Sequence, residues 1–407
     1  MSNATPPRRR VILLGSTGSI GTQAIDVISR HEAMFDVVGL AAGGSSVELL
    51  LEQAHRFRPV TVAVHDNNAG RQVRAELART LPECEVLVGD GAASTLAGRP
   101  ADVVLNGMTG AVGLGPTLAA LSAGTTLALA NKESLVMGGH LVMDAMVRPD
   151  QIVPVDSEHS AMAQALRAGQ RSEVSRFILT ASGGPFRGKK RDDLVHVTAT
   201  EALNHPTWSM GPVVTVNSST LVNKALELIE AHLLFHVPVD DIEVVVHPQS
   251  VIHSMIEFRD GSVIAQASPP DMRLPIALGL SWPDRIESGA SACSWSSPTQ
   301  WSFEPVDTHT FPAIDIARRA VKSSMWHPAV FNAANEELVD AFLSEQIPYL
   351  SIVDTLVSVL DACDEVVASG EFADSLDGIV RADQWARGWV HNMVLTPHRE
   401  TIPAEEG

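Results

Sequence analysis

The first 150 residues alternate short apolar runs with helical stretches, and this alternation limits the fold more than any other feature of the chain. Residues 10–14, 35–40, 61–65, 101–106 and 125–129 read as strands, whereas residues from 23 onward and 118–123 read as helices. Strands and helices in turn predict an α/β fold, a parallel sheet with helices on both faces. At 407 residues the chain is too long for one ordinary domain.

The first strand runs into Gly15-Ser-Thr-Gly18-Ser-Ile-Gly21, which opens a helix. Glycines there allow a tight turn, close approach to a pyrophosphate and close helix–sheet packing, and a helix N-terminus adds free N–H groups. The spacing is GxxGxxG rather than GxGxxG, but the strand–turn–helix setting predicts dinucleotide binding. The second strand ends in Leu40-Ala-Ala-Gly-Gly-Ser-Ser46, without the acidic residue that would bind the ribose of NAD. That favours NADP, although no Lys or Arg stands there to meet a 2′-phosphate.

From residue 151 to about 285 the texture changes to an α+β pattern, with strands at 243–246 and 251–258 and a hairpin turn at Asp260-Gly261. Residues 286–310 have linker composition, although Trp295 and Trp301 within them are expected to pack against something. From residue 311 onward the pattern is helical, as in 330–342 and 352–366, and the tail after Pro397 is expected to be loose.

Net charge of −19 argues against nucleic acid and anionic membrane surfaces as partners. An anionic substrate would need a local cluster of donors. Three dispersed cysteines, Cys84, Cys293 and Cys363, form no CxxC unit, which fits a reducing compartment and excludes a cysteine-based zinc site. The apolar run after the basic N-terminus is too short for a signal peptide, and no stretch approaches a membrane span, so the cytoplasm is expected.

Two acidic segments point to chemistry. Asp156-Ser-Glu158 follows the strand-like residues 152–155, and in extended chain both carboxylates would face one cation. Helix capping is the other reading of that tripeptide. In the helical run 221–230, Asn223, Lys224 and Glu227 share one face, an arrangement that suits an oxyanion beside a metal. Glu230 lies on nearly the same face, so periodicity leaves Glu227 and Glu230 open as ligands. Oxygen ligands favour Mg²⁺ or Mn²⁺ over zinc. Between the two acidic segments, residues 182–211 carry glycines at one end and Trp208 and Met210 at the other, as a mobile lid would. His247 and His253, beside a strand, read as structural histidines rather than ligands.

Taken in order, GSTGSIG, NKESLV from Asn131, DSEH from Asp156, SGGPF from Ser182, HPTWSMG from His205, NKALE from Asn223, HPQSVIHSM and NAANE from Asn332 resemble the 1-deoxy-D-xylulose 5-phosphate reductoisomerase family over about residues 10–385. The resemblance implies an N-terminal NADPH-binding Rossmann-type domain (1–150) and a central catalytic domain (151–285) that carries the lid and the homodimer contact. A linker (286–310) and a C-terminal helical bundle (311–407) would follow. It places the metal on Asp156, Glu158 and Glu227. Substrate contacts fall on Lys132, Ser157, Glu158, Ser182, His205, Ser218, Asn223, Lys224 and Glu227, with Ser182, Ser218, Asn223 and Lys224 around a phosphate. Cofactor contacts fall on Thr17, Gly18, Ser19, Ile20, Gly43, Asn131, Glu133 and Gly211, and the catalytic groups are Lys132, Glu158 and His205.

The activity implied is metal-dependent retro-aldol/aldol rearrangement of 1-deoxy-D-xylulose 5-phosphate, then hydride transfer from NADPH, giving 2-C-methyl-D-erythritol 4-phosphate. The chain departs from the family at Gly44-Ser45, where many members have Lys-Asn, at Asn217 for a common Asp, and at Thr207 for an Asn. The competing readings are a metal-independent NAD(P)-dependent semialdehyde or sugar dehydrogenase, and a silent NADPH-binding regulator. The first would keep its activity in a chelator, and the second would lack the carboxylate trio.

Overall fold

The computed structural model describes residues 7–208 and 210–395; residues 1–6, Ser209 within the expected lid and the tail after Pro397 lie outside the described residues. Seven strands, β1 (Arg9–Leu14), β2 (Phe35–Ala42), β3 (Thr61–Val64), β4 (Glu85–Val88), β5 (Val103–Asn106), β6 (Thr126–Leu129) and β7 (Ile152–Pro154), form one sheet. Its order is β4-β3-β2-β1-β5-β6-β7, and every pairing is parallel. Helices cover both faces, so successive strand residues enter different cores. Val11 and Leu13 belong to one apolar cluster and Ile12 and Leu14 to the other.

Strand order reverses between β1 and β5, which opens a crevice at their carboxyl ends. One face of this sheet is completed from a distance. The helix Arg273–Ser281 returns from far along the chain and buries Ile276, Ala277 and Leu280 with Val11 and Leu13.

The second sheet contains β8 (Val174–Ala181), β9 (Ile242–Val246), β10 (Ile252–Phe258), β11 (Val263–Ala267) and β12 (Glu304–Pro305), in the order β11-β10-β8-β9-β12. It is mixed, with β8 and β9 parallel and the other pairs antiparallel. The β10–β11 hairpin turns at Asp260-Gly261 as its sequence predicts: Gly261 takes φ +85° and Asp260 Oδ1 accepts from Ser262 N at 2.9 Å.

The C-terminal helices Ala313–Ser323, His327–Leu343, Tyr349–Ala368 and Leu376–Val390 share one continuous core with the second sheet, in which Phe177, Leu179, Leu226 and Ile229 meet Phe331, Leu338, Leu356 and Leu360. The linker tryptophans do not pack as expected. Trp295 and Trp301 meet each other, with ring centroids 5.9 Å apart, and Trp295 stays 73% exposed. Among the described residues no helix is long and apolar enough to cross a membrane.

Candidate active site

The glycine loop sits at the crevice. Gly15 takes φ +77°, and a Cβ on Gly21 would lie 2.2 Å from the Gly15 carbonyl oxygen, so only glycine lets the helix Ser19–Arg30 start this close to β1. Gly18 caps that helix with no side chain in the way, leaving its first N–H groups toward the crevice. Thr17 and Ile20 are half-buried, Gly18 and Ser19 are exposed, and Gly43 is exposed just beyond β2. Asn131 is fully buried and internally committed: Oδ1 accepts from Ser134 N at 3.1 Å, and Nδ2 lies 3.0 Å from Met108 O, Gly110 O and Glu133 Oε2. It shapes the loop after β5 with no side-chain atom to spare. Glu133 is half-buried, and its carboxyl is pushed up chiefly by that burial.

Beyond the loop lies a cluster of buried charges. Asp156 is not in extended chain: it caps the helix Ser157–Ala165, accepting from Glu158 N at 3.4 Å, so the turn of a helix start aligns the two carboxylates. Ser157 Oγ donates to Glu158 Oε2 at 2.5 Å. Glu227 is held one turn from Asn223 in the helix Val222–Phe235, and Asn223 Nδ2 donates to it at 2.5 Å. One carboxylate oxygen each from Asp156, Glu158 and Glu227 lies within 4.8 Å of the others.

Two ammonium groups stand among these acids. Lys132 Nζ lies 2.6 Å from Asp156 Oδ2, 3.0 Å from Glu227 Oε1 and 3.1 Å from Asn223 Oδ1. Lys224 Nζ lies 2.8 Å from Glu158 Oε1 and in contact with Glu227 Oε2. Burial works against the Lys132 charge, but Asp156, Glu227 and Glu230 outweigh it and hold its pKa well above the ordinary value. Burial and the nearby Glu227 carboxylate push Glu158 up to about 7.

Glu230 points away from the cavity. It is fully buried, with Oε2 3.3 Å from His159 Nδ1, while His159 Nε2 donates to the Glu227 carbonyl at 2.8 Å. Asp156, His159 and Glu230 thus form a second close group behind the first. The sequence gives His159 no role and leaves Glu230 open as a ligand beside Glu227; each stands three residues after a carboxylate, at Asp156 and Glu227, and here they face each other. The neighbouring histidines are structural as expected: His247 Nδ1 meets Ser302 O at 2.9 Å, and His253 Nε2 meets Ser268 O at 3.1 Å.

A third group lies across the cavity. His205 Nδ1 accepts from Trp208 N at 2.9 Å and Thr207 N at 3.2 Å, so its proton sits on Nε2. Nε2 is 3.1 Å from both Ser182 Oγ and Ser218 Oγ, and burial lowers the His205 pKa. Gly183 and Gly184 both take left-handed backbone (φ +85° and +66°) beside Ser182, and Gly211 caps the helix Pro212–Ser219 that carries Ser218. A single cavity of about 740 Å³ runs from Ser19, Ile20 and Glu133 past Asp156, Glu158 and Glu227 to Ser182, His205 and Ser218. The five anionic and cationic side chains at its floor come from three separate helices, and the hydroxyls at its far end from two further segments.

Three family models match the chain. That for 1-deoxy-D-xylulose 5-phosphate reductoisomerase covers residues 11–139, that for its C-terminal domain 152–235, and the DXP reductoisomerase C-terminal domain 267–389. The 1-deoxy-D-xylulose 5-phosphate reductoisomerase of Beutenbergia cavernae is 61% identical over 402 residues, spanning 96% of this chain and 99% of that protein. That of Cutibacterium acnes is 56% identical over 394 residues, spanning 93% and 97%. The solved structure of the Zymomonas mobilis reductoisomerase in complex with NADPH matches with a TM-score of 0.87 at 38% identity, covering 96% of this chain and 100% of that one. A DOX-P reductoisomerase solved in complex with NADPH, fosmidomycin and magnesium matches with a TM-score of 0.88 at 34% identity, covering 94% and 98%. Fold, cavity and similarity agree, and the chain belongs to the 1-deoxy-D-xylulose 5-phosphate reductoisomerase family.

Proposed function

We propose that the cavity converts 1-deoxy-D-xylulose 5-phosphate to 2-C-methyl-D-erythritol 4-phosphate, with NADPH lying along the glycine loop and a divalent metal, Mg²⁺ or Mn²⁺, on Asp156, Glu158 and Glu227. One observation carries the reading: a single cavity connects the nucleotide loop, three converging carboxylates and a pair of serine hydroxyls. The donor set fits a hard cation, since all three groups offer oxygen and two ammonium ions already sit against them. When bound, the metal supplies Lewis-acid polarisation of the ketone and its adjacent hydroxyl. When bound, NADPH supplies the hydride that completes the reduction.

The chain's own residues do the rest. Ser182, Ser218, Asn223 and Lys224 hold the phosphate, with His205 Nε2–H between the two serines. Lys132 orients the substrate oxygens and holds a proton beside them. Glu158, which reaches the same cavity, takes and returns a proton during carbon–carbon cleavage and re-formation. Ser157 fixes the Glu158 carboxylate. Thr17, Gly18, Ser19, Ile20 and Gly43 line the cofactor, while Asn131, Glu133 and Gly211 set the loops that face it. Residues 182–211 close over the bound phosphate and exclude water. Residues 1–150 serve as the NADPH domain, 151–285 as the catalytic domain and 311–407 as the helical bundle, joined through 286–310.

The working unit in this reading is a cytoplasmic homodimer. The edge strand β11, which leaves Val263 45% and Ile264 38% exposed, supports pairing there. Purified protein given the xylulose phosphate and Mg²⁺ or Mn²⁺ should oxidise NADPH in preference to NADH, and chelation should stop it. No NADPH consumption overturns the reading. Activity that survives chelation would instead indicate a metal-independent dehydrogenase.

A further inference from the structure

The NAANE segment from Asn332 to Glu336 lies far from the cavity in sequence and touches no proposed ligand. It belongs to the helix His327–Leu343, which packs on two helices that build the site: Lys132–Asp144, which begins with Lys132, and Pro212–Ser219, which carries Ser218 in its last turn. Asn332, Asn335 and Glu336 share one face of it by helical spacing. Asn332 Nδ2 donates to Glu336 Oε1 at 3.0 Å, and Glu336 Oε2 meets Arg387 Nη2 at 2.5 Å. Asn335 is fully buried, and its one side-chain hydrogen bond among the described residues runs from Nδ2 to Asn217 Oδ1 at 2.9 Å. Asn217 directly precedes Ser218.

An amide pair in this place is not the cheapest way to join two helices. Its surroundings are apolar, with Val216, Phe331, Ala334 and Leu338 all buried nearby in the same core. Two apolar side chains would pack there without losing water from two amides. What the pair adds is direction. The helix Pro212–Ser219 has eight residues and no side-chain cap at Gly211, so little in its own sequence fixes its rotation. A rotation of ~20° moves an atom ~4 Å from a helix axis by more than ~1 Å. That is enough to take Ser218 Oγ, now 3.1 Å from His205 Nε2, out of hydrogen-bond range.

We propose that Asn335 is a positioning residue for the phosphate end of the substrate, acting through Asn217 to set the rotation of the helix that presents Ser218. The C-terminal bundle thereby takes part in substrate recognition without lining the cavity. This rests on the reading of Ser218 as a phosphate ligand.

The test measures inhibition by inorganic phosphate, competitive with the sugar phosphate, in Ser218→Ala, Asn335→Leu, Asn217→Leu and the double leucine variant. Asn335→Leu should weaken phosphate inhibition and raise KM for the sugar phosphate by about tenfold, while KM for NADPH moves less than about twofold. Asn217→Leu should do the same, and the double variant should be no worse than either alone. If Asn335→Leu does not fold, Asn335→Ala and Asn217→Leu carry the same expectation.

Three outcomes count against the proposal. If Ser218→Ala weakens phosphate inhibition and the asparagine variants do not, the positioning role is wrong and the phosphate reading stands. If Ser218→Ala changes nothing, the phosphate reading fails and takes this inference with it. Equal losses in KM for both substrates, or effects of the two asparagines that multiply, would reduce the pair to packing and overturn the proposal.

Discussion

Glu227→Gln tests the metal assignment most directly, because the substitution keeps the shape of the side chain and removes one charge. Glu227 Oε1 lies 3.0 Å from Lys132 Nζ, and at an effective dielectric of about 20 a unit pair at that distance interacts by about 5 kcal/mol. A divalent ion in contact with the same oxygen feels at least as much. Part of the loss returns, since the glutamine carbonyl can still ligate and the lysines no longer compete for a carboxylate. A net loss of about 3–4 kcal/mol remains, which weakens metal binding by about 10²–10³-fold.

The fold should survive this change. Lys132 keeps Asp156 at 2.6 Å and Lys224 keeps Glu158 at 2.8 Å, so neither ammonium is stranded. Calorimetric titration with Mn²⁺ reads the affinity, and quenching of NADPH fluorescence checks that the nucleotide loop is intact. Turnover should be abolished with NADPH affinity nearly unchanged. Glu230→Gln is the matched comparison: its carboxylate faces His159 behind the cavity, so metal affinity should fall by less than about tenfold. Metal binding that is lost in Glu230→Gln and kept in Glu227→Gln would refute the assignment.

Acid should weaken the metal site before it unfolds the protein. Glu158 must lose its proton to ligate and titrates at about 7, so affinity for Mg²⁺ should fall about tenfold from pH 8 to pH 6, and a flat profile in that calorimetry would contradict the geometry. At His205, alanine leaves the Thr207 and Trp208 N–H groups without their acceptor, whereas asparagine restores an acceptor but not the reach to both serines. Steady-state kinetics should therefore show KM for the sugar phosphate raised by about tenfold or more in His205→Ala, with the lid segment more protected from proteolysis in His205→Asn than in the alanine variant. Gly21→Ala sets a methyl group 2.2 Å from the Gly15 carbonyl; NADPH fluorescence titration should show lost binding, and Tm should fall in keeping with a strain of about 1–3 kcal/mol.

The N-terminal sheet is legible in the sequence because most of its strands hold a short apolar run and several of its helices are amphipathic, so period and composition agree. β4 escapes that reading: Glu85–Val88 is an edge strand that is only partly buried. β8 escapes it as well, because its first half is solvent-facing and only its second half reads as core. The site is legible in pieces. Asp156 and Glu158 are visible as a pair, but extended chain is the wrong reason for their alignment, since a helix start places them. The choice between Glu227 and Glu230 cannot be made from a helical period, because it depends on which side the cavity lies. Contacts such as His159 with the Glu227 carbonyl and Asn335 with Asn217 join segments 68 and 118 residues apart, and no local pattern announces them.

The shared core of the second sheet and the C-terminal helices has a consequence for synthesis. A chain leaving the ribosome presents Phe177 and Leu179, then Leu226 and Ile229, long before Phe331, Leu356 and Val390 exist to cover them. The nucleotide half also waits, because the face that needs Ile276 and Leu280 stays open until residue 281 has emerged. The catalytic half of this enzyme is therefore a late product of translation, with apolar surface open to chaperones or to other nascent chains until the last helix docks.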